Sequence, residues 1–347
     1  MRVLIVKLTS MGDVLHVMPA LDDLSKHKGN LVVDWMVEES FAEIPSWHPS
    51  VDKVIPVATR RWRTLKWSTI REFFCFRKRL RHQHYDVVID AQGLIKSAVF
   101  ARFAKLNSKG LRIGFSAESI KESFAAKFYH KRVAVAQDQH AIVRLRQLFA
   151  GAFDYPLQKS FSYGLTQCGI RSENARDSAT VMFFHATTWQ SKHLPEPIWQ
   201  SLIQLAGDDG YQVLLAWGNK QEKQRAERLA KGQANASVLD EMSLADLKDQ
   251  LLHCAGAIAV DTGLGHMAAA LGTPCVSIYG STNSKLTGAV GENQIQLQSD
   301  YLCSPCMSKH CLKLNEQTLE PPCYTKSHKN GGIDARKIWE TLFEQIV

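Results

Sequence analysis

Val260-Asp261-Thr262-Gly263-Leu264-Gly265-His266-Met267 is the stretch on which the fold of this chain turns. Apolar residues 255–260 run into it and small apolar residues 268–272 follow, so the local pattern is strand, tight turn, helix start. Gly263 and Gly265 let the backbone turn sharply and approach a ligand closely. The first helical turn leaves N–H groups without intrahelical partners, at the positive end of the helix dipole. That combination binds anions, phosphate above all. Asp261 and Thr262 are placed to cap the helix, and His266 lies one turn inside, where its ring can reach the same anion. An ordinary strand-to-helix junction with a satisfied cap accounts for the same residues, and short glycine motifs do not separate the two.

Outward from this stretch, the second half of the chain alternates regularly. Strands are expected at 179–186, 211–217, 237–240, 255–260 and 275–279, with helices at 197–206, 220–231 and 244–253. The first half repeats the alternation. Residues 2–8 read as a buried strand, Thr9-Ser10-Met11-Gly12-Asp13 as a loop, and Val14, Leu15, Val17, Met18 and Leu21 as a helix face. Further strands are expected at 31–37, 53–57, 86–92 and 111–115, and helices at 94–104, 121–130 and 141–150. Strands alternating with helices give parallel βαβ units. The expected fold is therefore α/β, with two Rossmann-like, doubly wound domains facing each other across a cleft. These are residues 1–155 and 178–330, separated by the polar stretch 151–178; a C-terminal helix within 331–347 is expected to pack back toward the first domain. Ligands of such sheets bind at the carboxyl ends of the strands, where Asp13, Gln92, Gly93 and Lys96 fall. The plain role for Asp13 at a helix entrance is that of a cap.

A length of 347 residues agrees with two domains, and 45% hydrophobic with 22% charged residues is the balance of a soluble globular chain. No run approaches the roughly 18 apolar residues of a membrane span, and residues 1–8 lack the apolar region of a secretory signal, so a cytoplasmic location is expected. The 8 cysteines are then expected as reduced thiols. A net charge of +8 points to an acidic partner. The basic residues concentrate in Arg60, Arg61, Arg63, Lys66, Arg71, Arg77, Lys78, Arg79 and Arg81, with Trp62 and Trp67 among them. Such a mixture suits nucleic-acid phosphates and also anionic lipid headgroups, while Arg77 to Arg81 read as a solvated helix face. Arg60 to Lys66 follow a strand directly, at the ligand end of the sheet.

Residues 1–19, with Thr9-Ser10-Met11-Gly12-Asp13, resemble the N-terminus of the lipopolysaccharide heptosyltransferases. So do Phe184-His185-Ala186-Thr187-Thr188, Trp217-Gly218 followed by Glu222, Met242-Ser243-Leu244, and Asp261-Thr262-Gly263-Leu264-Gly265-His266, in the family's order and at similar spacings up to about Gly291. Residues 34–63 and 90–97 look most like the heptosyltransferase I branch, which adds the first heptose to the inner-core Kdo. The resemblance implies a GT-B fold and an inverting transfer of L-glycero-D-manno-heptose from ADP-heptose to Kdo2-lipid A, in lipopolysaccharide core biosynthesis. It implies a peripheral enzyme on the cytoplasmic face of the inner membrane, with no cofactor, no bound metal and no nucleic-acid partner. Carried over residue by residue, it makes Asp13 the general base, with Thr187, Thr188 and Lys192 at the diphosphate, Glu222 at the ribose and Met242 near the adenine. Asp261, Thr262, Gly263 and His266 complete the donor site, and Ser10, Arg60, Arg61, Arg63, Gln92, Gly93 and Lys96 meet the acceptor. The chemistry agrees, since a lysine and a helix N-terminus stabilise a departing diphosphate while a carboxylate takes the proton of the attacking hydroxyl.

His16, His185 and His193 remain ambiguous between ligand contacts and structural hydrogen bonding. Cys303-Ser304-Pro305-Cys306, with Cys311 and Cys323, resembles a cluster in other members of the wider family, compatible with zinc or with a loop of reduced thiols. The alternatives are transfer of a later core heptose, a nucleotide-sugar epimerase of the same fold, and, from another class, a non-catalytic basic nucleic-acid-binding protein. No nucleic-acid module supports the last.

Overall fold

The computed structural model describes residues 1–64, 66–165, 178–314, 320–325 and 333–347. They fall into two compact units, Met1–Cys168 and Gly169–Val347. Part of the expected linker, residues 166–177, lies outside the described residues, as do 326–332 where the second domain was expected to end and the C-terminal segment to begin.

In the first unit, β1 (Arg2–Val6), β2 (Val32–Glu38), β3 (Val51–Val57), β4 (His84–Asp90), β5 (Lys105–Phe115) and β6 (Lys131–Val133) form one sheet in the order β3-β2-β1-β4-β5-β6. Every pairing is parallel. In β1, Val3, Leu4, Ile5 and Val6 are all fully buried, as a strand covered by helices on both faces requires. Val6 pairs with Asp90, so the loops leaving β1 and β4 start side by side.

The second unit repeats the winding. Its strands β7 (Thr180–Phe184), β8 (Gln212–Leu215), β9 (Ala236–Val238), β10 (Gly256–Val260), β11 (Cys275–Tyr279) and β12 (Gln294–Gln298) run β12-β11-β10-β7-β8-β9, again all parallel. In each unit three strands are laid outward in one direction before the chain returns to the other side of the first. The strand order therefore reverses between β1 and β4, and between β7 and β10, and at such points ligands bind beyond the carboxyl ends.

The doubly wound fold is as expected, with two differences. β6 and β12 were not foreseen. Both are edge strands paired on one side, and Gln294-Ile295-Gln296-Leu297-Gln298 is half polar because one face stays open. The expected helix at 121–130 is only a 3-10 turn, Ser123–Phe128. The C-terminal helix exists, as Ala335–Ile346. Ile338, Trp339, Leu342 and Ile346 join the second unit's core beside Trp199, Ile203 and Ile258, so its apolar stripe is satisfied there. The Trp339 indole N–H adds a 2.6 Å bond to Asp209.

Gly256, the first residue of β10, makes this packing close. A Cβ there would stand 2.9 Å from both Ile346 and Leu342 side-chain carbons and 3.1 Å from the Pro274 carbonyl. Gly256→Ala is expected to destabilise the protein by about 1–3 kcal/mol through overpacking, read as a lower midpoint in urea at unchanged slope. An unchanged midpoint would mean that the helix shifts without cost.

Candidate functional sites at the two switch points

In the first unit, Asp13 lies in the first turn of the short helix Met11–Leu15 that follows β1. One carboxylate oxygen accepts from the Ser10 N–H at 3.0 Å and the Ser10 hydroxyl at 2.7 Å; the other is 3.5 Å from the Lys7 ammonium. The cap position belongs to Ser10, and Asp13 reaches back to it as in a capping box. Crowding by protein atoms works to raise the Asp13 pKa. Lys7, then His16 and the Ser10 bonds, outweigh that and hold it at about 2. The side chain is nonetheless 45% exposed, so a ligand hydroxyl can reach it.

Neighbouring residues fix this loop. The Gln92 side-chain carbonyl accepts from the N–H groups of Leu8 at 3.0 Å and Thr9 at 3.2 Å, so it holds the chain that carries Asp13. Lys7 donates to the Ala91 carbonyl at 3.2 Å, a second tie between the loops after β1 and β4. Gly93 has φ +72, and a Cβ there would come within 2.7 Å of the Ile120 side chain. Buried Asp90 accepts from the N–H groups of Gln92 and Gly93, the Ser97 hydroxyl and the Tyr129 hydroxyl, although burial raises its pKa.

A cationic group stands nearby. The Lys96 ammonium is 3.3 Å from the Thr59 hydroxyl, which donates to the Glu38 carboxylate at 2.5 Å; the Arg60 N–H donates to the other Glu38 oxygen at 3.2 Å. Burial, reinforced by Arg63 and Arg60 and opposed by Glu38, lowers the Lys96 pKa. Among the described residues neither Arg60 nor Arg63 has a carboxylate within ion-pairing distance, so an anionic ligand would relieve the crowding. Arg61 differs from its expected companions. Its guanidinium is paired with Glu39 and Glu72, each at 2.6 Å.

In the second unit Asp261, just beyond β10, is the hub. Its carboxylate is 2.7 Å from the Lys192 ammonium, accepts from the Thr282 hydroxyl at 2.6 Å, and has the His266 ring nitrogen at 3.8 Å. Burial pushes its pKa up, but His266 and Lys192 prevail and hold the carboxyl well below the usual range. Thr187, beyond β7, donates from its hydroxyl to the Asp261 backbone carbonyl at 3.0 Å and so joins the two strands of the switch point. Lys192, on the 3-10 turn Gln190–Lys192, also stands 4.6 Å over the Trp189 ring.

Asp261 does not cap the helix Gly263–Leu271. Thr262 holds that position without a side-chain cap bond, so the first-turn N–H groups have no side-chain acceptor among the described residues and point outward as an anion site requires. Gly265 serves packing: a Cβ there would meet the Ala259 side chain at 3.1 Å.

The remaining expected donor residues lie on loops or in the first turn of a helix at the same end of the sheet. Thr188 is exposed and Met242 half-buried. Glu222, in the helix Lys220–Ala230, accepts from the Gly218 N–H at 2.7 Å. His193 is 2.7 Å from Arg225, which also donates to the Leu194 carbonyl at 2.6 Å; burial, with Arg225 and His193, pushes fully buried His185 down to about 3.

Three contributors were missed from sequence: Lys7, Thr282 and the Glu38–Thr59 pair. Lys7 alone carried a signal, as a lysine closing an otherwise apolar strand. Burial first, and then the neighbouring cysteines, raise the pKa of Cys303 and Cys323, and Cys323 is pushed up to about 12. Among the described residues no three His, Cys, Asp or Glu side chains are arranged to hold a metal ion, and no helix is long and apolar enough to cross a membrane.

The model of glycosyltransferase family 9 (heptosyltransferase) matches residues 73–316. The chain is 45% identical over 338 residues to lipopolysaccharide heptosyltransferase 1 of Pseudomonas aeruginosa, covering 94% of each. It is similar to the solved structure of E. coli heptosyltransferase WaaC with ADP, at 42% identity and a TM-score of 0.80, over 86% of this chain and 93% of that one. The structure of WaaC with ADP-2-deoxy-2-fluoro heptose matches at 41% identity and 0.78, over the same shares.

Proposed function

This chain belongs to glycosyltransferase family 9, the heptosyltransferases, and from that membership and the geometry of its two switch points we propose the reaction in detail. It is a lipopolysaccharide heptosyltransferase of GT-B fold that transfers L-glycero-D-manno-heptose from ADP-heptose, with inversion, to the Kdo of lipid A-linked inner core. The acceptor's lipid anchor puts the reaction on the cytoplasmic face of the inner membrane.

The observation that carries the donor side is the arrangement around Asp261: a lysine held at 2.7 Å beside a helix N-terminus without a side-chain cap. A departing diphosphate needs positive charge fixed before the bond breaks, and a partly buried, oriented ammonium with outward N–H groups supplies it. Asp261 then orients Lys192, His266 and Thr282 and does not itself touch phosphate, where like charge would repel. Glu222 and Met242, at the same sheet end, are left for the ribose and the adenine. On the acceptor side, Asp13 takes the proton of the attacking hydroxyl, and Lys7 and Ser10 keep it ionised for that purpose. Gln92 and Gly93 shape the Asp13 loop, while Arg60, Arg63 and Lys96 receive the acceptor's anionic groups.

Mass spectrometry of Kdo2-lipid A incubated with enzyme and ADP-heptose tests the whole assignment. The addition of one heptose is expected; an unmodified acceptor under conditions where ADP binds would refute it.

The cationic group yields a finer expectation. Arg60→Ala with Arg63→Ala should raise the acceptor KM about tenfold, the loss of a charge-assisted contact, and leave the donor KM nearly unchanged. Arg61→Ala should do less, because that guanidinium already has two carboxylate partners. Equal effects on donor and acceptor KM would remove Arg60 and Arg63 from the acceptor site.

A further inference from the structure

The stretch from Arg60 to Arg81 holds nine basic residues and one acidic residue, Glu72, so it accounts for as much charge as the net +8 of the whole chain. Glu72 is neutralised in place by Arg61. Most of this stretch is the helix Trp67–Leu80, whose two sides differ sharply. Its inner side is anchored: Phe76 and Leu80 are buried, and Phe73 and Phe76 pack with Trp62, Phe100 and Phe103 at ring-centroid distances of 5.2–5.9 Å. The outer line reads Trp67, Arg71, Phe74, Cys75, Lys78 and Arg81, spaced as one helical stripe, and every member is exposed. Trp67 is 84% exposed and Phe74 57%. Because the inner aromatic cluster is already filled, these two rings have no place in the core. Two large apolar side chains flanked by cations on a convex helix need another partner.

We propose that this helix is the membrane-docking element of the enzyme: it lies flat on an anionic phospholipid surface, with Trp67 and Phe74 at the headgroup–acyl boundary and Arg71, Lys78 and Arg81 on lipid phosphates. This inference rests on the assignment of a lipid-anchored acceptor above and names the surface that would bring the enzyme to it. The charge is complementary to anionic lipid, and an amphipathic helix with aromatic residues between lysine and arginine is the form that interfacial binding takes. Single-stranded nucleic acid fits less well, since it is bound along grooves lined with stacking platforms and this stripe is convex.

The test is co-sedimentation of the full chain with phosphatidylethanolamine–phosphatidylglycerol vesicles and with phosphatidylcholine vesicles, no turnover being required. Binding is expected to the first and not the second. Trp67→Ser with Phe74→Ser, and separately Arg71→Gln with Lys78→Gln, should each weaken it roughly tenfold or more. Both variants should keep wild-type kcat/KM on a de-acylated, water-soluble Kdo acceptor while losing rate on acceptor embedded in vesicles. Vesicle binding that is unchanged in both variants would overturn the proposal. So would tighter wild-type binding to a single-stranded oligonucleotide than to anionic vesicles, lost in the same variants. Failure of the heptosyl-transfer assignment shows separately, as absence of product from the soluble acceptor with wild-type enzyme.

Discussion

Asp13→Asn is expected to lower kcat by a factor on the order of a hundred or more while ADP binding stays nearly normal. The carboxylate is exposed enough to meet a hydroxyl, ionised at every pH at which the enzyme would work, and held by Ser10 in a fixed direction. A base with a pKa near 2 is weak toward an unactivated hydroxyl. It becomes sufficient late in the reaction, when the bond to the departing ADP is largely broken and the hydroxyl, closing on a cationic sugar, turns acidic. Asparagine keeps the size and can still accept from Ser10, but cannot take the proton. Lys7 loses its ion pair and retains its bond to Ala91, so the melting temperature should fall by no more than about 2–4 °C, the equivalent of about 1 kcal/mol. Survival of activity with a large drop in melting temperature would make Asp13 purely structural. The pH dependence follows from the sign of the shift. The folded pKa lies below the unfolded value of about 3.9, so the stabilisation Asp13 provides is present above that value and is lost as pH falls toward about 2. A kcat/KM limb above about pH 5 that moves in Asp13→Glu would contradict this assignment.

Lys192→Ala should reduce kcat/KM for ADP-heptose by about 2–4 kcal/mol, or roughly 30- to 900-fold, in the range of losing one preorganised electrostatic contact. Part of that loss has a source visible only in the structure. With Lys192 gone, Asp261 keeps Thr282 and His266 but no ammonium, and its negative charge then faces the donor site. Lys192→Ala combined with Asp261→Asn should therefore recover some of the lost rate, a non-additivity measurable as a double-mutant cycle. If the single variant loses less than about threefold, the lysine is a structural partner of Asp261 and the leaving group is stabilised elsewhere.

The parallel, doubly wound fold could be read from sequence because buried strands such as residues 3–6 and 256–260 carry uninterrupted apolar runs between helical patterns. The edge strands β6 and β12 were invisible for the converse reason: with one face or one side open, their composition is that of a loop. Motif order placed Asp13, Thr187, Lys192 and Asp261 at the switch points, since position after a strand is a property of sequence. What each side chain bonds to is not. Arg61 looks identical to Arg60 and Arg63 until Glu39 and Glu72 are folded against it. Thr282 gains its meaning only when β11 brings it beside β10. Likewise the apolar stripe of Ala335–Ile346 is plain in the sequence, whereas the surface it covers is decided by long-range packing.

That last placement bears on how the protein is made. With the C-terminal helix closing the second core, each sheet's core draws on one contiguous stretch, up to Leu106 for the cluster under β1 and β4 and from Val181 onward for the other. A ribosome adding about 5–20 residues per second delivers the whole first sheet some ten seconds or more before the last turn of the second, long compared with the folding time of a domain of this size. The half that bears Asp13 and the basic helix can thus be finished while the second half is still unspun chain.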